Sequence, residues 1–285
     1  MLKFSSKMNY YIADTHFGHK NIIRFCNRPF KDVQEMQRVL INNWNQVVND
    51  NDDVYIVGDM FFKIVKDEVT TILKLLKGRK HLILGNHDNS WISDQILNEY
   101  FISCNNYLEI HDCKKFIVLS HYPMLSYNKQ SGAYMIHGHI HNDSLFDYWP
   151  ILLKRPRVLN AGVDINNFKP VTLNELIENN QNYKARLLDS YPWYLLSVRF
   201  NSGYVYSNGS NREELYQLIN PLLNKNGVIE IYESLYKLES TETLEFLKIL
   251  KTKIDNNRKL KKLFKNFDLI YIDQDGKFKI LTEII

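Results

Sequence analysis

The sequence predicts an α/β fold, a layered α/β sandwich, followed by a second, smaller α+β domain. Short apolar runs rich in β-branched and aromatic residues are bounded by turn residues, which is typical of buried strands. Stretches with apolar residues at three- and four-residue steps lie between these runs, as in amphipathic helices. This alternation predicts the layered sandwich. All nine histidines lie between His16 and His141, so histidine chemistry belongs to the first half of the chain.

Five of the predicted strands end in a polar turn. The apolar runs are residues 9–13, 54–57, 81–84, 116–119 and 134–136. The turns that follow them are Asp14-Thr15-His16, Gly58-Asp59, Gly85-Asn86-His87-Asp88, Ser120-His121 and Gly138-His139-Ile140-His141. An open α/β sheet builds its site at the carboxyl ends of its strands, so these side chains should meet at one edge. Asp, His and Asn are metal-ligating residue types, and a metal site is therefore predicted there.

Helical periodicity accounts for much of the chain between these strands. Residues 31–49 carry the clearest amphipathic pattern, with Asp32 as the predicted N-cap. Residues 67–77 form a second helix, which Gly78 ends. The other elements expected in this part of the chain are a short helix at 91–100, a strand at 107–110 paired with 116–119, a last strand at 158–164 and a closing helix at 172–178.

A polar stretch at residues 179–182 marks the predicted boundary between two domains, 1–182 and 183–285. The second domain is expected to contain strands at 194–200, 203–207, 228–232, 269–272 and 278–281, with helices at 211–223 and 241–264. A basic cluster lies at and beyond the end of its long helix: Lys251, Lys253, Arg258, Lys259, Lys261, Lys262 and Lys265. This cluster is either a patch that binds nucleotides or a nucleic-acid backbone, or a solvated helix face.

Composition is that of an ordinary globular protein, with 45% apolar and 24% charged residues in 285. The net charge of +4 is mild and does not by itself indicate a nucleic-acid partner. No apolar run approaches the ~20 residues of a membrane span, and the N-terminus lacks the apolar core of a signal peptide. We therefore expect a cytoplasmic protein with no membrane partner. Cys26, Cys104 and Cys113 follow no pairing pattern and are expected to be free thiols.

The order of the five turns, D-x-H, G-D, G-N-H-D, H and G-H-x-H, resembles that of the calcineurin-like metallophosphoesterase superfamily over about residues 8–180. The start, Asp14-Thr15-His16-Phe17-Gly18-His19 with Arg28-Pro29-Phe30 after it, is similar to a compact bacterial and phage branch of predicted phosphoesterases. The resemblance implies a sandwich of the metallophosphoesterase type with two metal ions. One ion would take Asp14, His16, Asp59 and His141, and the other Asp59, Asn86, His121 and His139.

The chemistry of the residues supports this ligand set independently. The two oxygens of one carboxylate, that of Asp59, can span two cations. His139 and His141 are two residues apart, which puts both on one face of extended backbone. Mixed imidazole and carboxylate ligands favour Mn²⁺, Fe, Ni or Zn over Ca²⁺ or Mg²⁺. The expected cofactor is two divalent transition-metal ions, with Mn²⁺ placed first.

The resemblance also implies a reaction, the hydrolysis of a phosphomonoester or phosphodiester. A hydroxide that bridges the two ions would attack phosphorus, and His87 would protonate the leaving oxygen as general acid. The expected substrate is a small phosphate ester such as a nucleotide or cyclic nucleotide. Two alternatives remain: a nuclease whose C-terminal domain binds the polynucleotide, and a metal-binding scaffold without catalysis.

One position departs from the superfamily pattern, in which many members carry an Asp three residues after the shared Asp59. Phe62 stands there instead, so either Asp88 or His19 replaces the missing partner of His87, or His87 is a weaker acid that favours substrates with good leaving groups. Substrate contacts are expected from Asn86, from His19, whose alternative is a loop hydrogen bond, and from Arg28, whose alternative is a surface ion pair. Asp88 and His137 are expected just behind the ligands, and His81 and His111 are expected to be structural.

Overall fold

Four parallel strands form the first sheet, in the order β1-β2-β3-β4. They are β1 (Asn9–Ile12), β2 (Asp53–Val57), β3 (Arg79–Ile83) and β4 (Phe101–Asn105). The computed structural model of the chain describes residues 7–143, 148–189, 193–200, 228–232, 235–238, 252, 256, 264–272 and 278–280. Every position of β2 is buried, as in a parallel strand covered on both faces.

A second four-stranded sheet has the order β5-β6-β7-β8. Its strands are β5 (Tyr107–Asp112), β6 (Lys115–Ser120), β7 (Tyr134–His137) and β8 (Val158–Asn160). The first pair is antiparallel and the other two pairs are parallel. The two sheets meet at β1, because Ala13 pairs with Gly162 beyond β8. The carboxyl ends of β1, β6 and β7 thereby come to the same region of the molecule.

Six α-helices belong to the described part of the chain. They are α1 (Ile22–Phe25), α2 (Val33–Val47), α3 (Lys66–Leu75), α4 (Asp94–Tyr100), α5 (Trp149–Leu153) and α6 (Leu173–Asp189). The predicted N-cap of α2 is confirmed, since the Asp32 carboxylate accepts a hydrogen bond from the backbone N–H of Glu35 at 2.8 Å. The described helices include none that is long and apolar enough to cross a membrane.

Alternate residues of the first sheet feed two separate cores, because side chains of a strand point to opposite faces. Tyr10 and Ile12 join a core that contains Leu40 and Trp44 of α2. Tyr11 belongs to the other core, which lies between the two sheets. Its remaining buried members are Ala13, Tyr55, Val57, Ile83, Ile117, Leu119, Ile136, Leu159, Ala161, Val171, Leu173 and Leu176. The α/β fold predicted from the sequence is thus observed, with helices on one face of the first sheet and a sheet on the other.

Several elements differ from the sequence prediction. The strand β4 and the short helices α1 and α5 were not predicted. The strand expected at 158–164 ends at Asn160, and a 3-10 helix, Val163–Ile165, takes its last residues. The helix expected at 91–100 begins only at Asp94, where Ser93 caps it. Helix α4 and β4 follow each other without a turn residue between them, so local composition gave no sign of the change.

The largest difference is the length of α6, which was expected to end at residue 178 and runs to Asp189. The polar stretch at residues 179–182, which was predicted to mark the domain boundary, lies inside this helix. Asn180 of this helix is buried and binds Asn160 of β8. Its side-chain oxygen accepts from the N–H of Asn160 at 2.7 Å, and its Nδ2 donates to the carbonyl of Asn160 at 3.0 Å. Asn180 therefore holds α6 in place and does not mark the end of the helix.

Truncation within α6 should therefore destabilise the first unit, which the fold delimits as Met1–Lys184. Tyr183 donates to the carbonyl of Asn142 at 2.7 Å, and Lys184 Nζ donates to the carbonyls of Arg155 and Val158 at 2.9 and 2.8 Å. At about 0.5–1.5 kcal/mol for each bond, a chain that ends after Asn182 should be less stable than one that ends after Asp189 by about 1.5–4.5 kcal/mol. Urea unfolding of both truncations measures the difference, and equal midpoints would contradict this role.

The second unit, Ala185–Ile285, contains a five-stranded antiparallel sheet. Its order is β10-β11-β9-β12-β13, formed by β9 (Trp193–Phe200), β10 (Val228–Tyr232), β11 (Leu235–Leu238), β12 (Phe264–Ile272) and β13 (Phe278–Ile280). The predicted strand at 228–232 is confirmed, and of the predicted pair 269–272 and 278–281 the structure shows residues 270–272 paired with 278–280. The elements predicted at 203–207 and 211–223, and nearly all of the helix at 241–264, lie outside the described residues, as does the basic cluster except Lys265 in β12.

Candidate metal centre

The turns after β1, β2, β3, β6 and β7 bring their polar side chains together. Asp59 lies in the middle: its Oδ2 is 3.6 Å from Nε2 of His16 and 3.5 Å from Nε2 of His121. Asn86 Oδ1 lies 3.1 Å from Nε2 of His121 and 3.1 Å from Nδ1 of His139. The side chains that were predicted to converge at the strand ends therefore lie together around Asp59 and Asn86.

Ligand atoms also lie close enough to share an ion. One group joins Asp14, His16 and His141, and another joins Asp14, Asp59 and His121, with all ligand atoms of a group within 4.8 Å of one another. The rings of His16 and His141 stack with centroids 5.0 Å apart. All seven residues that the sequence assigned to the metal site thus belong to one connected cluster.

The backbone of this cluster is strained. Five of its residues have left-handed backbone with φ between 49° and 73°: Asp14, His16, Asp59, His139 and His141. This region is uncommon for residues other than glycine and costs of order 1–3 kcal/mol when the surroundings enforce it. Five of the twelve non-glycine residues with positive φ in the described part of the chain thus belong to this one cluster.

Two glycines of the turns are required by the close approach of the ligands. A Cβ on Gly58 would lie 2.2 Å from Nδ1 of His121, and one on Gly85 would lie 2.2 Å from Oδ1 of Asp59. Gly58 also has φ +86°. At each of these glycines, the space that a side chain would need is therefore occupied by a candidate ligand from another turn.

Replacement of Gly58 with Ala should displace His121 and weaken metal binding, besides adding about 1–2 kcal/mol of left-handed backbone strain. Isothermal titration with Mn²⁺ and thermal unfolding measure the two effects. Gly132→Ala is the matched control, because nothing lies within 4 Å of a Cβ built there. If Gly58→Ala bound Mn²⁺ as the Gly132→Ala variant does, the assignment of His121 as a ligand would be refuted.

The residues present fit a bound cation. The ring of His16 is almost fully enclosed, and neither of its two nitrogens has a hydrogen-bond partner. Burial lowers the pKa of His16 well below its usual value, which leaves the ring neutral, as a ligand must be. Burial also raises the pKa of the Asp14 carboxyl. A cation would supply both the missing partner of His16 and the positive charge that the buried carboxylates lack.

The surroundings of His121 also favour a positive charge, because the carboxylates of Asp14 and Asp59 act on its ring. Burial opposes protonation of its ring, but the hydrogen bond to Asp59 and the charges of Asp14 and Asp59 raise its pKa to about 9. Its Nδ1 is tied to the carbonyl of Val57 at 3.0 Å, so Nε2 is the nitrogen that faces Asp59 and Asn86. A divalent ion bound between these groups would replace the proton on Nε2.

His87 lies at the edge of the cluster with its side chain 38% exposed. Its backbone N–H donates to Oδ1 of Asp59 at 2.9 Å, and its Nε2 is 3.8 Å from Oδ2 of the same residue. Phe62 separates it from His19: the Phe62 ring stacks on His19 at 3.9 Å and meets His87 edge-on at 4.8 Å. His19 is therefore placed against Phe62, and the expectation that it replaces the missing carboxylate partner of His87 is wrong.

Asp88 has a different task from the one expected of it as a partner of His87. Its Oδ2 accepts from the N–H groups of Asp59 and Gly85, both at 2.8 Å. Its Oδ1 accepts from Met60 N and Trp91 Nε1, both at 2.9 Å. Both oxygens are thus occupied, and Asp88 ties the turn that carries Asp59 to the turn that carries Asn86 and His87. This placement directly behind the ligands was expected from the sequence.

Arg28 is buried. It therefore has neither of the two roles predicted for it, a phosphate contact or an ion pair at the surface. Its guanidinium binds Asp164 and donates to the carbonyls of Asp14 and Thr15 at 2.7 and 3.0 Å. Asp164 was not predicted to belong to the site; its Oδ2 is 2.9 Å from Nδ1 of His141. Burial alone would raise the pKa of Asp164, but the charge of Arg28 and the bond to His141 lower it to about 2. Its sequence signal was present, because Asp164 follows an apolar run as the ligands do.

His137 is buried beside the turn that carries His139. Its Nδ1 lies 2.8 Å from the carbonyl oxygen of Gly138, and burial lowers its pKa to about 3. The neutral ring holds the backbone of that turn. Tyr122 lies on the other side of His139, 49% exposed, with the two ring centroids 4.6 Å apart.

Fold and site together define an α/β protein with a candidate metal centre at the carboxyl ends of its strands. The chain is 38% identical over 175 residues to the uncharacterized protein MJ1445 of Methanocaldococcus jannaschii, which covers 61% of this chain and 92% of that protein. The chain belongs to the same protein family as MJ1445. No family model matches it.

Two solved structures resemble the chain to different degrees. The crystal structure of AQ665 from Aquifex aeolicus, described as a protein of unknown function, shares 32% sequence identity at a TM-score of 0.50, over 61% of this chain and 99% of that one. YfcE, described as a phosphoesterase from E. coli, shares 15% identity at a TM-score of 0.26, over 47% of this chain and 69% of that one. The overlap with YfcE is too small to carry an argument about function.

Proposed function

We propose that the protein is a metal-dependent phosphoesterase with a dinuclear centre. The observation that carries this proposal is the place of Asp59, whose Oδ2 lies 3.6 Å from Nε2 of His16 and 3.5 Å from Nε2 of His121, one residue from each proposed ligand set. A carboxylate between two sets of ligands is the arrangement that a pair of ions requires. Two bound divalent ions would acidify a water molecule and offset the charge of the phosphoryl oxygens.

The residues divide into two ligand sets that share Asp59. The first set is Asp14, His16, Asp59 and His141, and the second is Asp59, Asn86, His121 and His139. Grouping of Asp14, His16 and His141 supports the first set. The contacts of Asn86 Oδ1 with His121 and His139, both at 3.1 Å, support the second. Mn²⁺ is the first ion to test, because imidazole and carboxylate ligands together suit it better than Ca²⁺.

His87 is the proposed general acid of the reaction. It follows Asn86 in the turn after β3, yet its ring stands outside both ligand sets and is partly exposed. An imidazole in this position can donate a proton to the leaving oxygen of a phosphate ester held at the ligands. The proposed substrates are small phosphomonoesters or phosphodiesters, with nucleotides and cyclic nucleotides first among them.

Two other functions remain as predictions. The nuclease depends on the basic cluster of the second unit, which except for Lys265 lies outside the described residues, so no observation favours it. The scaffold without catalysis rests on Phe62, which replaces the carboxylate partner of His87. The intact set of seven ligands supports the enzyme over the scaffold.

Hydrolysis of bis-p-nitrophenyl phosphate by the full chain tests the proposal. The protein is stripped with EDTA, dialysed and reloaded with Mn²⁺, and we expect turnover that requires the metal and is lost again with EDTA. Two Mn²⁺ per chain without turnover of this diester, of p-nitrophenyl phosphate or of cyclic nucleotides would favour the scaffold. Cleavage of single-stranded DNA that weakens steeply with salt, with no turnover of small esters, would favour the nuclease.

A further inference from the structure

One candidate ligand has a carboxylate behind it. Nδ1 of His141 lies 2.9 Å from Oδ2 of Asp164, whose side chain is 1% exposed. Asp164 lies in the 3-10 helix Val163–Ile165, directly after the backbone of Ala13 pairs with Gly162. A ligating histidine commonly donates its second ring N–H to a carboxylate, which fixes the tautomer and the direction of the ring. Nε2 of His141 is then the nitrogen left free for a metal.

Arg28 holds this carboxylate in place. Its Nε is 2.7 Å from Oδ1 of Asp164, and its Nη2 is 3.1 Å from Oδ2. The guanidinium and the carboxylate are both enclosed, with 0% and 1% of their side chains exposed. A buried arginine and carboxylate in this two-point arrangement have one relative orientation, so Asp164 cannot turn away from His141.

The same guanidinium reaches the turn after β1. It donates to the carbonyl oxygens of Asp14 and Thr15 at 2.7 and 3.0 Å. These residues belong to the segment in which Asp14 and His16 have φ of 57° and 50°. Arg28 therefore connects the strained turn that presents Asp14 and His16 with the carboxylate that presents His141.

We propose that Asp164, fixed by Arg28, is a positioning residue for one of the two metal ions, the one assigned to Asp14, His16, Asp59 and His141. This inference rests on the proposed function, because it takes His141 as a ligand. Its content is an asymmetry between the two ions. The second set has different supports, since His121 is held by the carbonyl of Val57 and Asn86 contacts His121 and His139.

Replacement of Asp164 with Asn in the full chain tests the asymmetry by metal binding, without a measurement of activity. Isothermal titration of the EDTA-stripped protein with Mn²⁺ should show two sites in the unaltered chain. In Asp164→Asn, we expect one site to weaken by about 10–100-fold, the usual effect of a lost partner of a ligating histidine, while the other keeps its affinity. Arg28→Lys should weaken the same site, because an ammonium cannot bind Asp164 and two carbonyls as a guanidinium does.

A loss of stability alone must not produce this result. Leu73→Ala is the control, because Leu73 of α3 is buried in the hydrophobic core and its truncation should lower the melting temperature of the protein without touching a ligand. This variant should bind both ions as the unaltered chain does. Unchanged affinity of both sites in Asp164→Asn, or an equal loss at both, would overturn the inference.

A spectroscopic measurement on the unaltered chain keeps the inference testable if Asp164→Asn does not fold. In the Mn²⁺-free protein loaded with diamagnetic Zn²⁺, ¹⁵N NMR of His141 should show a proton on Nδ1 and the metal on Nε2. A proton on Nε2 would overturn it. Failure of the proposed function looks different, because the unaltered chain would then bind fewer than two ions or would bind two and hydrolyse no ester.

Discussion

Asp59→Asn should lose both metal ions and with them all measurable hydrolysis, because a neutral amide has a single oxygen donor and cannot serve both ligand sets. The fold should survive. Asn keeps one oxygen for the N–H of His87, now 2.9 Å from Oδ1, and the backbone N–H of residue 59 keeps its bond to Asp88. Elemental analysis after dialysis against metal-free buffer gives the ions per chain, and the unaltered chain treated identically should keep two.

Asp112→Asn is the matched control for this change. Asp112 is an acidic residue of the same unit, at the end of β5, and its contact is a hydrogen bond from the Tyr11 hydroxyl at 2.9 Å. An asparagine accepts that bond equally, so metal content and turnover should not change. If Asp59→Asn retained two ions per chain, Asp59 would not be shared between them and the dinuclear proposal would be refuted.

His87→Ala should keep both metal ions while kcat for an ester with a poor leaving group falls by about 10²–10⁴, the usual contribution of a general acid. The loss should be small for a p-nitrophenyl ester, whose leaving group departs without a proton. The structural reason is that the His87 ring is partly exposed beside Asp59 and belongs to neither ligand set. Steady-state kinetics on a nitrophenyl ester and on an alkyl ester of the same type measure the contrast.

His111→Ala provides the control, because His111 is exposed and packs edge-on against Phe116, away from the ligand cluster. It should leave kcat for both esters unchanged. Equal losses for good and poor leaving groups in His87→Ala would show that His87 positions substrate or turn rather than donating a proton.

Phe62 affects the size of this contrast. The ring fills the space between His19 and His87 with edge and face contacts and gives His87 no carboxylate partner. The acid is then held by its backbone bond to Asp59 and by packing. An enzyme with this arrangement should prefer esters whose leaving groups need little help from an acid.

The sequence alone determined the five strands that end in the polar turns, β1, β2, β3, β6 and β7, and the candidate ligands that follow them. Each of these strands is an apolar run that ends at a polar turn, and this pattern is local, so Asp14, Asp59 and His121 were assigned without tertiary information. The carboxyl ends of neighbouring parallel strands meet at one edge, so the convergence of the ligands followed from the pattern as well. The glycines before Asp59 and Asn86 belonged to the same motifs.

Tertiary structure alone assigned Arg28 and Asp164 as supports of those candidate ligands, whereas Asp88 and His137 were expected from the sequence. Arg28 and Asp164 are far apart in the sequence, and tertiary contacts such as the pairing of Ala13 with Gly162 bring their chain segments together. From the sequence, Arg28 was expected to contact phosphate or to form a surface ion pair, because arginine is rarely buried, but a buried arginine is stable where a carboxylate and carbonyls satisfy it. Asn180 was placed at a domain boundary because the composition turns polar there, and its bonds to Asn160 hold α6 against β8. The role of a buried polar residue depends on its hydrogen-bond partners, and for these residues the partners are distant in the chain.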